Sequence, residues 1–252
     1  MPIKTVQFMI VLLGLAVFGR MSFAGTWIDD FSNLRDWGVG HIDDELSAAI
    51  VGGHFNFIGK KQKAIYRIKN GELGEIQDFS LELKFMVGRI QGPEESFWSI
   101  QYYSFDEERS EYDGLMDFEF RHSLGVFEEP KAAVVSIIQY VPEQQPPIGR
   151  ILRGSNAAST LFAYEKEVWY TVRIEREGNQ YTFWIGDVGI FAEDDSVPMG
   201  WIALKFHGRC NIWLDDFTVT GSTVPNGGPG VLQVNPLAEQ VTTTWGKLKA
   251  QH

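Results

Sequence analysis

The 252-residue chain has one cysteine, Cys210, so no disulfide can close within it and its stability must come from a buried core. Basic side chains are scarce as well, 22 Lys and Arg against 33 Asp and Glu. A chain this acidic is repelled by phosphate, whose neutralisation by Lys and Arg dominates nucleic-acid affinity, so no nucleic-acid partner is expected. Only five histidines occur, and none shows the His-x-His or His-Glu-x-x-His spacing that a zinc site needs. The Gly-x-Ser-x-Gly elbow, the phosphate loop and the dinucleotide fingerprint are all missing, which leaves esterase, kinase and dehydrogenase chemistry without support. No Asn-x-Ser/Thr glycosylation site occurs. Long hydrophobic runs are lacking too: the longest is Phe8 to Phe18, shorter than a membrane span.

That run follows the early cation Lys4 and precedes Met21-Ser22-Phe23-Ala24, with small residues at the two positions a signal peptidase inspects. Residues 1–24 therefore read as a signal peptide cleaved before Gly25, giving a secreted, extracellular or periplasmic protein with no remaining membrane span. Loss of Lys4 and Arg20 leaves 20 basic against 33 acidic residues, a balance that suits neutral or cationic ligands or Ca²⁺.

What is abundant is aromatic: 18 Phe, 8 Trp and 8 Tyr, enough for a large core without staples. Beyond residue 25 the dominant period is two. Phe79, Leu81, Leu83 and Phe85 alternate with Ser80, Glu82 and Lys84, and Val168, Tyr170, Val172 and Ile174 alternate with Trp169, Thr171, Arg173 and Glu175, as half-buried antiparallel strands require. Glu177-Gly178-Asn179 then forms a hairpin corner leading to Tyr181, Phe183 and Ile185. Further strands are expected near 26–31, 47–52, 54–58, 63–68, 97–104, 115–121, 132–141, 200–207 and 211–220. A dozen strands without helices exceed an immunoglobulin sandwich and predict a single all-β domain, a two-sheet antiparallel jelly roll. Two irregular stretches, Phe105 to Gly114 and Pro142 to Ser159, read as long loops. Residues 222–230 have linker composition, which bounds the domain at 25–221. The tail 231–252 places Leu237, Val241, Trp245 and Leu248 at near-helical spacing, suited to a surface partner or to a frayed end.

Three segments carry a family resemblance. Trp27-Ile28-Asp29-Asp30-Phe31 resembles the first strand of secreted laminin G-like or concanavalin A-like domains. Gly200-Trp201-Ile202-Ala203-Leu204 and Asn211-Ile212-Trp213-Leu214-Asp215-Asp216-Phe217 resemble their last two strands, and Trp169-Tyr170-Thr171-Val172-Arg173-Ile174 is similar to their central strand pair. Domains of the 3-keto-disaccharide hydrolase type and many carbohydrate-binding modules share this pattern, so the resemblance implies a concanavalin A-like jelly roll and a glycan or polysaccharide partner without settling chemistry.

Laminarinase-type glucanases of this fold carry Glu-x-Asp-x-Glu on one strand. The matching stretch here, Leu115-Met116-Asp117-Phe118-Glu119-Phe120-Arg121, has Leu115 in place of the first Glu, the nucleophile, so a two-carboxylate hydrolysis loses one partner. Asp117 and Glu119 remain the catalytic candidates, with Asp113 on the adjoining loop. Together with Arg121 they form a row able either to hydrogen-bond sugar hydroxyls or simply to be solvated. Sugar rings also stack on flat side chains, which nominates Trp98, Gln101 and Tyr103 on one strand, Gln139 and Tyr140 on another, and Trp184; for each ring taken singly, a place in the core is the alternative.

The acidic pairs Asp29-Asp30 and Asp215-Asp216 sit in near-copies of one motif and are expected to meet where the terminal strands pair. One Asp of each pair should point inward, there to be met by backbone amides or by a structural Ca²⁺; no other cofactor is expected. Three functions remain open: a non-catalytic secreted module binding a neutral glycan, a glycoside hydrolase or lyase working through Asp117 and Glu119, and a structural or adhesive exoprotein attached through its tail.

Overall fold

The computed structural model describes residues 25–33, 37–42, 47–58, 63–68, 73–90, 96–106, 111–122, 132–141, 148–151, 159–208 and 210–230. Residues 1–24, the expected signal peptide, and the tail 231–252 lie outside them. Among the described residues there are sixteen strands and no helix. In chain order they are β1 (Gly25–Asp29), β2 (Trp37–Ile42), β3 (Ser47–Val51), β4 (His54–Ile58), β5 (Lys63–Ile68) and β6 (Phe79–Ile90). Next come β7 (Ser96–Asp106), β8 (Glu111–His122), β9 (Ala132–Val141), β10 (Ile148–Ile151) and β11 (Ser159–Ala163). The set closes with β12 (Trp169–Glu177), β13 (Gln180–Ile185), β14 (Val188–Glu193), β15 (Trp201–His207) and β16 (Cys210–Gly221).

They form two eight-stranded sheets. The first runs β14-β13-β12-β6-β16-β4-β3, with β1 also paired to β16; the second runs β10-β9-β8-β7-β15-β5-β2, with β11 also paired to β9. Every pairing between these strands is antiparallel. The alternation in the sequence is what stacks the two layers, because side chains of one parity from each sheet meet between them. Phe85 lies 4.9 Å from Trp98 across the interior, Phe57 stacks on Phe206 at 4.3 Å, and Phe118 meets Phe183 edge-on at 5.7 Å. The β12–β13 corner takes the expected form, with Gly178 at φ 61, a conformation that suits a residue without Cβ.

Several boundaries differ from the expectation. The stretch 105–114 is mostly strand, since β7 continues to Asp106 and β8 begins at Glu111. The stretch 142–159 contains β10, and β11 opens at its end; four residues are too few for a legible period. β2 and β14 were not apparent from the sequence, the former because Gly38 and Gly40 interrupt its pattern. Residues 222–230, of linker composition, lie along β1: Gly227 accepts from Ile28 N–H at 3.0 Å and donates to Thr26 O at 3.0 Å, while Gly230 N–H donates to Ile28 O at 3.0 Å. Val224 is buried in the core. The sheet edge thus continues to Gly230.

Candidate functional site

The face of the second sheet turned away from the first gathers most of the expected residues. On β8, Met116, Phe118 and Phe120 belong to the core between the sheets, so Leu115, Asp117, Glu119 and Arg121 project to the other side. Register then sets their neighbours. Asp117 pairs with Gln101 and Glu119 with Ser99 on β7, Ser99 pairs with Lys205 on β15, and Glu119 pairs with Ser136 on β9.

This row is not a solvated one. Asp117 and Glu119 are fully buried, and Ser99, Gln101, Ser136 and Lys205 are nearly so. Burying a charge without a partner is costly, and each carboxylate here has a cation. Lys205 Nζ lies 2.7 Å from Asp117 Oδ2, to which Gln101 Nε2 also donates at 3.3 Å. Arg121 grips Glu119 with both branches of its guanidinium, Nε to Oε1 at 2.5 Å and Nη2 to Oε2 at 2.9 Å. Phe97 underlies both cations, with Lys205 Nζ 4.8 Å and Arg121 Cζ 5.1 Å from its ring centroid, each a cation–π distance. Burial pushes the Glu119 carboxyl above the usual carboxylate range, with the Arg121 hydrogen bond partly opposing it. Burial, the largest single influence, would lower Lys205; Asp117, Tyr140 and Glu119 together outweigh it and hold the ammonium above the ordinary lysine value.

Beyond Asp117 the same face becomes apolar. Leu115, Tyr103, Ala203 and Ile65 form a second buried cluster with Tyr140 and Trp201 packed against it, and the Tyr103 and Trp201 rings lie 6.0 Å apart. Three buried atoms of the polar half have no hydrogen-bond partner among the described residues: Asp117 Oδ1, Gln101 Oε1 and Ser99 Oγ. Buried polar atoms are rarely left so in folded proteins. Two of the three are acceptors only, so what completes them must donate.

Of the sequence candidates, Gln101, Tyr103, Asp117, Glu119, Arg121 and Tyr140 come together on this face. Trp98 does not: it is core, packed on Phe85 and Phe120, because its parity is that of Ile100 and Tyr102. Gln139 stands opposite Met116, on the parity of the inner face, and is buried there. Trp184 belongs to the first sheet, and the side chain of Asp113 lies outside those described. Lys205, Trp201 and Ser99 were missed as site residues. Lys205 offered a signal, being the one cation in the otherwise apolar stretch Trp201-Ile202-Ala203-Leu204-Lys205-Phe206.

The terminal strands do pair, and at their seam Asp29 faces Phe217, the residue after Asp216. Asp29 points inward and is fully buried; it accepts from Phe31 N–H at 2.7 Å and from the Trp37 indole at 2.6 Å. Asp30 is exposed and accepts from Ser32 N–H at 2.9 Å. Neither Asp of the second pair points inward, contrary to expectation, because β16 bulges between Asp215 and Thr218, with Asp216 at φ 52. Asp215 Oδ2 sits 3.0 Å from His54 Nδ1, and Asp216 pairs with Lys84 at 2.6 Å. The four carboxylates thus divide among separate protein partners. No group of three or more metal-ligating side chains occurs among the described residues.

No protein-family model matches the chain, and no curated protein matches its sequence. Solved structures do match. The kappa-carrageenase of Pseudoalteromonas carrageenovora, in complex with an oligotetrasaccharide of kappa-carrageenan, is 8% identical, covers 79% of this chain and 95% of its own, and superposes with a TM-score of 0.56. LamAcat of Zobellia galactanivorans is 10% identical over 77% of this chain and 96% of its own, TM-score 0.55. The CBM2 module of the evolved Dit of Lactobacillus casei BL23 phage J-1 is 12% identical over 79% and 96%, TM-score 0.54. At these identities the similarity is one of fold. The chain is an all-β protein whose two antiparallel sheets form the jelly-roll sandwich that these structures share.

Proposed function

We propose that the protein binds a neutral glycan on the outer face of its second sheet and does not hydrolyse it. The observation that carries this reading is the meeting, on one sheet face, of a polar row, Ser99, Gln101, Asp117 and Lys205, with the Tyr103–Trp201 ring pair, of which Trp201 is partly exposed. Sugars match such a face, with hydroxyls for a polar row and an apolar C–H side for the aromatics. The two acids and two bases of the row balance in charge, which favours a neutral ligand over a sulfated or uronic one. Carbohydrate-acting proteins among the structural neighbours support the same class of ligand.

Against hydrolysis stand Leu115, lodged in the apolar cluster where the glucanase pattern has its first Glu, and the engagement of both remaining carboxylates by cations. One observation favours the rival reading: burial raises the Glu119 carboxyl, as a general acid requires. Binding to a glycan array, followed by assay for released reducing ends, separates the two. Neutral glycans are expected to be retained uncut, with affinity falling about tenfold in Trp201→Ala. Turnover abolished by Glu119→Gln would establish the hydrolase, and absence of any glycan binding would overturn both.

Export with removal of residues 1–24 belongs to the same proposal. It is supported by the apolar run Phe8 to Phe18 and by the small residues at Ser22 and Ala24.

A further inference from the structure

The first sheet also has an outward face, and one part of it is unlike the rest. Toward one end of β6 and β12 the outward residues are those of a solvated sheet: Ser80, Glu82, Arg173 and Glu175. One row differs. Trp169 on β12 pairs with Met86 on β6, Met86 with Trp213 on β16, and Trp213 with Asn56 on β4. These residues alternate with Phe85, Val87, Ile212, Leu214, Phe55 and Phe57, all of which are core, so the row faces away from the second sheet.

Trp169 is 37% exposed, and its ring lies 5.2 Å from that of His54. His54 is itself over a third exposed and approaches Asp215 at 3.0 Å. Beside them Asn56 Nδ2 donates to Asn211 Oδ1 at 2.6 Å, tying two amides into one floor. Gly88 lies underneath: a Cβ there would come within 3.2 Å of both the Trp213 indole nitrogen and the Asn211 amide, so its absence lets both side chains lie low on the sheet.

We propose that this patch is a second saccharide-binding surface, built on Trp169, His54 and the Asn56–Asn211 amide pair and independent of the one on the opposite sheet. Its chemistry selects the occupant. An exposed indole edged by an imidazole, two amides and a carboxylate offers a stacking plane with hydrogen-bonding groups at its rim, which is what one sugar ring uses. A lipid or an apolar protein segment would have to bury Asp215 and the amide pair without repayment in hydrogen bonds. A polyanion would meet Asp215 and Asp216 in a chain that is acidic overall. A neutral glycan meets neither obstacle. The two surfaces lie on opposite sides of the sandwich, so one molecule can hold two chains of polysaccharide.

The test uses the full chain, Trp169→Ala and Trp201→Ala on one array of neutral and acidic oligosaccharides, with melting temperatures confirming that each variant is folded. Trp201→Ala is expected to keep part of the neutral-glycan binding. Trp169→Ala, added to it, should weaken that remainder about tenfold, and Trp169→Phe should recover most of it. If Trp169→Ala binds every glycan as the unaltered protein does, or if Trp201→Ala alone removes all binding, the second surface is overturned and the first stands. If Trp201→Ala changes nothing and Trp169→Ala removes all binding, the first falls and the second stands. Should the unaltered protein bind no neutral glycan, both are overturned.

Discussion

The outer faces of the two sheets carry similar kinds of side chain in opposite circumstances. On the first, Lys84 pairs with Asp216 at 2.6 Å with both side chains about half exposed. On the second, Lys205 pairs with Asp117 at 2.7 Å with both buried. Geometry is almost the same and the energetics are not. A surface pair exchanges one set of solvated partners for another and is worth little, whereas a buried pair has given up its water and each member depends on the other.

The sharpest way to break the comparison is to remove one cation from each. Lys205→Met strands a buried carboxylate and should cost about 3–5 kcal/mol in a urea or guanidinium melt. Lys84→Met should leave the melt unmoved. The double variant Lys205→Met/Asp117→Leu removes both charges and should recover a large part of the loss, since a well-packed apolar pair can replace a buried ionic one. Equal effects at Lys205 and Lys84 would mean that the second sheet's row is as wet as the first's.

A smaller effect concerns the indoles. Trp184 lies over Gly189, its cross-strand partner, so closely that a Cβ at 189 would stand 2.4 Å from the ring. Gly189→Ala should displace the indole at a cost of about 1 kcal/mol, the low end of overpacking, because the ring is only partly enclosed. A shift in tryptophan emission should accompany it.

The smallest concerns pH. Burial lowers the His122 imidazole below its usual value, with the Ala132 carbonyl partly opposing. A group held neutral by folding costs stability once the unfolded chain takes up a proton that the folded one refuses. The His122 contribution is therefore intact above about pH 6.5 and is lost as pH falls through the lowered value. The stability difference between the unaltered protein and His122→Asn should shrink from pH 7 to pH 5, measured by chemical melts. A difference that grew over that interval would contradict it.

Much of the fold was legible in the residues themselves. Phe79 to Phe85 and Val172 to Ile185 alternate cleanly, so their parity and the hairpin between β12 and β13 follow from period two alone. The site was legible in part. Period two says which residues share a face, and it placed Asp117, Glu119 and Arg121 together; it does not say which face is wet. Trp98 shows the same limit in reverse: a place in the core was the alternative from the start, and only packing on Phe85 decides for it. Lys205 stood out as the one cation of its strand, but its pairing with Asp117 was beyond reach, since the two are 88 residues apart and meet only because β15 lies beside β7. Asp216 escaped because a bulge adds a residue and upsets alternation at the point where it was being used.

The position of β16 sets an order on assembly. The last of the described strands lies inside the first sheet, bonded to β6 on one side and to β4 and β1 on the other. Nothing made earlier can substitute for it, so β1, complete almost as soon as synthesis passes residue 29, waits for nearly the whole domain before it acquires a partner. Such pairings, remote in sequence, are slow to form. Until then the chain is held open with its aromatic interior unclosed, a state in which it can be threaded through a narrow passage and also one in which it can aggregate.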